Sequence, residues 1–189
     1  IPTAATVATL SPDVAAQVQG AFAAPYFRVY TSYDVIGVEL GGAAKNVMAI
    51  AAGMSDGLGL GTNTRAALIT RGITEIQRLG IRLGANPQTF MGLAGIGDLV
   101  LTCTGQLSRN WTVGHKLGQG MKIHAILSET RTVAEGVKTT RSVYNMSRKL
   151  EVEMPIAEQV YRILYEDLAP REALRVLMSR DLRQEHDEE

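Results

Sequence analysis

The sequence has 189 residues, 46% of them hydrophobic and 20% charged, enough for one sizeable apolar core or two small ones. Nineteen basic residues balance nineteen acidic ones, so no global field exists to draw in nucleic acid or a membrane surface non-specifically. The single cysteine, Cys103, excludes an internal disulfide, and six prolines beside nineteen glycines exclude a collagenous or disordered chain; a reducing, cytoplasmic setting is expected.

The chain opens without Met in a β-prone run, residues 3–10, as though entered midway through a domain, and no basic segment with an apolar run behind it marks a signal peptide. Ser11-Pro12-Asp13 supplies an N-cap with proline at the first helical position. Val14, Val18 and Phe22 then recur every four residues, which predicts a short helix with one buried stripe, ended by Ala24-Pro25. Two β-prone runs follow, Phe27-Arg28-Val29-Tyr30 and Val35-Ile36-Gly37-Val38, on either side of a polar turn. Together these predict a β-α-β-β unit of about 40 residues, too few strands for an independent sheet domain.

From Gly41 onward helical periodicity replaces β-branched runs, which places a boundary near residues 39–42. Thr62-Asn63 can cap a helix reaching Leu79, Asn86-Pro87 another, Met154-Pro155 a third through Tyr165, and Ala169-Pro170 a fourth through Ser179. Residues 183–189 read as a polar tail. The longest weakly charged stretch, residues 35–54, is interrupted by Glu39 and Lys45, so no transmembrane span is expected.

Several polar residues stand where chemistry could use them. Lys45 follows Gly41-Gly42-Ala43-Ala44 near the expected start of a helix of small residues, where the dipole and desolvation would both lower an amine pKa toward general acid/base use. The alternative is a lysine that snorkels or pairs with Glu39. Asn46 beside it offers a second polar contact. Gly57-Leu58-Gly59-Leu60-Gly61 has the wrong spacing and context for a dinucleotide loop and reads as a helix-breaking turn. Asp98, after Gly95-Ile96-Gly97, fits the cap of a short helix, with Thr102 one turn on and facing the same side. Ser108-Arg109-Asn110 offers either ordinary capping or a phosphate cradle at a helix start. Thr132-Val133-Ala134-Glu135 fits a capping box. His115, His124 and His186 lack metal-ligand spacing, so no metal is expected; Cys103 reads as a buried small apolar side chain and Trp111 as a packing anchor. Arg65, Arg71, Arg78 and Arg82 read as a solvated or interface face.

At Val38-Glu39-Leu40-Gly41-Gly42-Ala43-Ala44-Lys45-Asn46-Val47-Met48-Ala49-Ile50-Ala51-Ala52-Gly53 the sequence resembles NAD(P)-dependent glycerol-3-phosphate dehydrogenases of the bacterial type. Phe27-Arg28-Val29-Tyr30-Thr31-Ser32, Gly92-Leu93-Ala94-Gly95-Ile96-Gly97-Asp98-Leu99, Thr102-Cys103-Thr104, Ser108-Arg109-Asn110 and Val133-Ala134-Glu135-Gly136 resemble further blocks of that family, in order. The resemblance implies a mainly α fold: an all-helical C-terminal domain of the 6-phosphogluconate-dehydrogenase-like type, preceded by a remnant of a Rossmann α/β sheet. Residues 1–40 would be that remnant, 41–182 the helical substrate domain and 183–189 the tail, with the dinucleotide fingerprint lying before Pro2.

The resemblance further implies that Lys45 is the acid/base at the C2 oxygen during reduction of dihydroxyacetone phosphate to sn-glycerol 3-phosphate, a precursor of phospholipids. Asn46 and Asp98 would contact the substrate or position the lysine, while Thr102, Ser108, Arg109 and Asn110 would hold the phosphate. Arg109, Val133 and Glu135 would meet the cofactor, NAD or NADP, whose ribose-reading residue would again precede this chain. A homodimer is the expected assembly, with no nucleic-acid partner. This chain alone is expected to be inactive, because half of the cofactor's grip would be missing. The alternatives are a related two-domain reductase acting on another hydroxy or keto acid, and a non-enzymatic helical module.

Overall fold

The computed structural model describes residues 1–105, 107–129 and 134–181. The chain begins with a β-α-β unit in which β1 (Thr3–Ala8) and β2 (Phe27–Ser32) pair in parallel, from Thr3 opposite Phe27 to Ala8 opposite Ser32. Helix α1 (Pro12–Phe22) connects them, and its start is as expected: Pro12 occupies the first turn and the Ser11 hydroxyl accepts from the Val14 N–H at 3.4 Å. The expected buried stripe is not formed. Only Ala15 of α1 is buried, whereas Val14 and Phe22 remain 44% and 63% exposed, because a two-stranded sheet offers one helix too little apolar surface to cover.

A second correction concerns Val35-Ile36-Gly37-Val38, which forms no strand but the first turn of α2 (Val35–Gly57). Asp34 caps this helix, its carboxylate accepting from the Gly37 N–H at 2.9 Å and, on the other oxygen, from the Asn86 N–H at 2.9 Å and the Thr89 hydroxyl at 2.6 Å. Burial would raise the Asp34 pKa, but the bonds from Thr89, Gly37 and Asn86 outweigh it and hold the carboxyl below its ordinary value. The cap and the long helical run behind it override the β propensity of four residues. The change of composition near residues 39–42 therefore lies inside a continuous helix.

Helix α2 is the axis of the body. It is apolar on all sides, and Val47, Met48, Ala49, Ile50 and Ala52 are completely buried, as suits a helix surrounded by others. By length and composition alone α2 could cross a membrane; instead half of its most apolar window is buried within the fold. Its neighbours are α3 (Gly61–Arg82), α4 (Asp98–Thr104), α5 (Arg109–Gly118), α7 (Glu135–Lys149) and α8 (Pro155–Tyr165), with α6 (Ile123–Glu129) and α9 (Pro170–Met178) outside them. The closest approach is between α2 and α5. A Cβ added at Gly53 would lie 2.0 Å from the Trp111 carbonyl oxygen, and one at Gly114 would lie 2.0 Å from that of Ile50. Gly57 and Gly118, each four residues further on, face His115 and Met54 in the same way.

The turn between α2 and α3 forms as expected, Gly59 and Gly61 both taking left-handed φ values of 75° and 81°. Thr62 and Asn63 do not cap α3, however. The glycines reverse the chain so sharply that the helix already begins at Gly61, with Leu60 at the cap position and no side-chain cap bond. Asn86 does cap, accepting from the Gln88 N–H at 2.9 Å, but only a 3-10 turn (Pro87–Met91) follows, then a π-helical turn (Leu93–Gly97) leading into α4. Helices α8 and α9 begin at Pro155 and Pro170 as predicted. Helix α8 lacks a cap of its own; Glu75 of α3 supplies it, accepting from the Ile156 N–H at 2.7 Å and the Ala157 N–H at 3.1 Å. Full burial pushes the Glu75 carboxyl up to about 8, against the opposing pull of those two N–H groups.

Candidate active site

Lys45 lies eleven residues into α2 by the helix bounds, in its third turn rather than at its N-terminus. The dipole argument for Lys45 therefore fails, because the helix starts earlier than the sequence suggested. Nor does Lys45 pair with Glu39. Its ammonium forms an ion pair with the Asp98 carboxylate, both side chains partly exposed, at 22% and 31%.

Asp98 reaches it from an unusual piece of chain. The π-helical turn before it packs tightly on α2, where a Cβ at Gly41 would stand 2.5 Å from the Ala94 carbonyl oxygen. A π turn changes the angular phase of the residues that follow, which is one reason such turns recur at functional sites. Asp98 is the first residue of α4, and Gly97 holds the cap position without a side-chain bond, so the expected capping role for Asp98 is not observed. Thr102 faces the same side, as expected, donating to the Asp98 carbonyl at 2.6 Å with the Asp98 carboxylate 3.4 Å away.

Ser108 caps α5, accepting from the Trp111 N–H at 3.3 Å. The N–H groups of Arg109 and Asn110 then belong to the first turn of a helix, where no intrahelical carbonyl is available to them. The Arg109 guanidinium is exposed and makes no hydrogen bond or ion pair with another described residue. Asn110 is buried and joins three helices: its amide donates to the Asn46 side-chain oxygen at 2.9 Å, and its own oxygen accepts from the Gly136 N–H at 2.9 Å. Gly136 is there because nothing larger fits; a Cβ would stand 2.7 Å from Asn110 Oδ1 and 2.8 Å from the Asn46 carbonyl oxygen.

The start of α7 therefore sits against Asn46 and Asn110, next to Lys45 in sequence. Glu135 is its first residue and is exposed. Ala134 holds the cap position, a register that does not match the expected box with Thr132, and Thr132 and Val133 lie outside the described residues. Of the predicted site residues, then, the fold joins Lys45, Asp98 and Thr102 in one group and Asn46 and Asn110 in another. Lys45 and Asn46 tie the two groups together through adjacent positions on α2, and Ser108, Arg109 and Glu135 flank them at helix starts.

Two supporting residues escaped the sequence reading. Asp56 accepts from Trp111 Nε1 at 2.8 Å and Arg65 Nη1 at 2.9 Å, fixing the indole that follows Asn110. Its signal was an acid in the last turn of α2, where the dipole disfavours one. Gly136 was readable only as part of a motif, since its constraint comes from other helices. Cys103 is fully buried and burial pushes its thiol up to about 12, so it is a packing residue as expected.

A helical body built round one long axis and joined to a β-α-β unit is the architecture of the helical domain in dehydrogenases of known structure. The chain superposes on the crystal structure of glycerol-3-phosphate dehydrogenase from Coxiella burnetii with a TM-score of 0.92 at 45% identity, covering 95% of this chain and 55% of that one. The Saccharomyces cerevisiae glycerol-3-phosphate dehydrogenase gives 0.83 at 28% identity, over 93% of this chain and 54% of that one. Residues 34–175 match the family of the NAD-dependent glycerol-3-phosphate dehydrogenase C-terminus. A Geobacter sulfurreducens protein named glycerol-3-phosphate dehydrogenase [NAD(P)+] is 63% identical over 98% of this chain and 55% of its own length. The chain belongs to the glycerol-3-phosphate dehydrogenase family, and it spans about half the length of the curated relatives it matches.

Proposed function

We propose that this chain provides the substrate side of an NAD(P)-dependent interconversion of dihydroxyacetone phosphate and sn-glycerol 3-phosphate, with Lys45 as the acid/base. The Lys45–Asp98 pair beside the Asn46–Asn110–Gly136 bridge is the observation that carries this reading. A ketone accepting hydride at carbon needs a proton delivered to its oxygen, and a lysine steered by a carboxylate and partly open to solvent can deliver it. Thr102 supports Asp98 from behind. Arg109 supplies a guanidinium fork, unpaired among the described residues, beside the first-turn N–H groups of α5, a combination suited to a phosphate dianion.

The cofactor family fits this face of the chain. Among the described residues Arg109 has no hydrogen-bond or ion-pair partner, and it stands at a helix start beside α7, whose first residue Glu135 is exposed, so a guanidinium and a carboxylate face a dinucleotide's phosphate and polar groups. The nicotinamide supplies or accepts the hydride; every proton at the C2 oxygen is handled by Lys45. Asn110, with both ends of its amide already bonded within the protein, acts by locking α2, α5 and α7 in register, leaving at most one N–H for a ligand. No metal enters this scheme.

The β-α-β unit reads as the end of a larger dinucleotide-binding sheet, with its division from the helical body falling at Asp34, where α2 is capped, rather than at residues 39–42. The product would feed phospholipid synthesis in the cytoplasm, a setting that suits a single reduced cysteine. Exposed apolar side chains such as Leu101 and Leu107 leave surface for the expected homodimer. Alone, this chain is inactive, since catalysis requires the cofactor to be held against the substrate.

The test is NADH oxidation with dihydroxyacetone phosphate by the longer protein containing this chain, in wild-type and Lys45→Ala forms. Turnover is expected to fall about 10²- to 10⁴-fold while the melting temperature stays unchanged. Near-wild-type turnover in the variant would overturn the role of Lys45, and a substrate lacking the phosphate that serves equally well would overturn the substrate class.

A further inference from the structure

Asp56 stands where a helix disfavours an acid, in the last turn of α2, at the negative end of the dipole. It is also largely out of water, its side chain only 14% exposed. Both costs are offset by donors from two other helices that meet one carboxylate oxygen: Trp111 Nε1 of α5 at 2.8 Å and Arg65 Nη1 of α3 at 2.9 Å. An ionised carboxylate accepts at both oxygens and donates at neither, and bonds to it are stronger than bonds between neutral groups, so an acid here holds the two donors firmly. The indole is held by its face as well, stacked on His115 one turn on with ring centroids 4.8 Å apart.

Trp111 is the third residue of α5, two after Arg109. Its backbone is fixed too: the N–H donates to Ser108 Oγ at 3.3 Å, and the carbonyl lies so close to α2 that a Cβ on Gly53 would stand 2.0 Å from its oxygen. Asn110, the residue between, bonds to Asn46 of α2 at 2.9 Å. Asn46 and Asp56 are about 15 Å apart along α2 at 1.5 Å per residue. Two tethers that far apart, acting on neighbouring residues of α5, resist both its rotation and its sliding.

We propose that Asp56 is a positioning residue for substrate affinity: through Trp111 it sets the rotation of α5, and with it the placement of Arg109 and the first-turn N–H groups relative to Lys45. The inference rests on the reading of Arg109 as the phosphate anchor. Lys45 rides on α2 itself and needs no such tether, whereas Arg109, exposed and unpaired among the described residues, is placed by the helix that carries it. Loss of the tether therefore acts on the phosphate end of the substrate and spares proton transfer at the C2 oxygen.

Steady-state kinetics of the longer protein containing this chain test the assignment, with dihydroxyacetone phosphate and with dihydroxyacetone, which lacks the phosphate. Asp56→Ala should raise KM for dihydroxyacetone phosphate about tenfold, the equivalent of one net hydrogen bond, with kcat close to wild type. For dihydroxyacetone, kcat/KM should change little. Asp56→Asn keeps the size and an acceptor for the indole, and should recover most of the lost affinity. Should Asp56→Ala disturb folding, Trp111→Phe removes the other partner of the bond, keeps a ring, and carries the same comparison. In an Arg109→Ala background Asp56→Ala should add little, since both act on one contact. Equal losses for the two ketones would overturn the proposal and leave Asp56 a structural pin. So would an unchanged KM, or a full additional loss on top of Arg109→Ala. Wild-type kinetics in Arg109→Ala alone would instead overturn the phosphate anchor on which the inference rests, a failure separate from one in which Arg109→Ala loses affinity and Asp56→Ala does not.

Discussion

The β-α-β unit and the helical body use similar apolar residues to opposite effect. In α1, a periodic stripe of Val14 and Phe22 stays in solvent, while in α2, a helix with no single apolar face buries nearly everything from Val47 to Met54. The difference is one of partners. A helix on two strands has one narrow surface to meet, whereas α2 is met on every side, and by α5 at backbone contact. Periodicity tells which face of a helix is apolar; it does not tell whether anything covers it.

The sharpest break of that contrast is at the α2–α5 contact. Gly53→Ala and Gly114→Ala each place a Cβ about 2.0 Å from a carbonyl oxygen of the facing helix, and backbone cannot yield as a flexible side chain can. Each is expected to cost about 3 kcal/mol or more, at the upper end of overpacking. Denaturant titration checks this, and the helix-wide distortion should also separate Asn46 from Asn110. Gly20→Ala in α1 is the control: open space surrounds that position, so the helix propensity gained should be neutral or slightly stabilising.

Next in size is Glu75. Removing the carboxyl group with Glu75→Ala leaves the Ile156 and Ala157 N–H groups buried without acceptors, a loss of roughly 2–4 kcal/mol. The group also gives the body a pH dependence. With its folded pKa raised from 4.5 to about 8, Glu75 contributes stability that is complete below 4.5 and is lost as the pH rises through about 8. Glu75→Gln retains an acceptor for the helix start and should flatten this slope between pH 5 and 8 in urea melts. An unchanged slope would show that another group carries it.

Asp34 caps a helix as Glu75 does, yet with the opposite sign. Its pKa is lowered, so its contribution is present above the ordinary carboxylate value of 3.8 and lost as the pH falls through the folded value. Asp34→Ala should cost about 1–2 kcal/mol at neutral pH and remove that acid-side loss, as thermal melts at pH 3 and pH 7 would report. The pair separates two kinds of cap: one supplied by the residue just before its own helix and half-buried, one borrowed from a distant helix and fully buried.

The same division explains what could be read in the sequence. Starts of α1, α5, α8 and α9 were legible because Ser11-Pro12, Ser108, Met154-Pro155 and Ala169-Pro170 act within a few residues of themselves. The motif residues around Lys45 and Asp98 were legible as family blocks, and the comparisons bear the family out. Their geometry was not. Lys45 meets Asp98 across 53 positions of sequence, and Asn46 meets Asn110 across 64, distances over which local pattern carries no information. Val35-Ile36-Gly37-Val38 misled for the complementary reason, since its own propensity was real and the helix behind it was stronger.

The smallest effect sharpens the comparison most. In this chain Phe22→Ser replaces a side chain that is 63% exposed, so its melting temperature should move little, within about 0.5 kcal/mol of stability. In a longer protein carrying further strands beside β1 and β2, the same ring would have a sheet face to cover, and burying a phenylalanine contributes about 1.5–3 kcal/mol. Parallel melts of the two proteins, each with and without Phe22→Ser, measure how much of the α1 surface the additional strands cover. A small loss in both would show that α1 stands free of any larger sheet and that the β-α-β unit is complete as it is. A loss confined to the longer protein would make the exposed stripe the imprint of a sheet, an apolar face that α1 covers only beyond this chain, where α2 is covered within it.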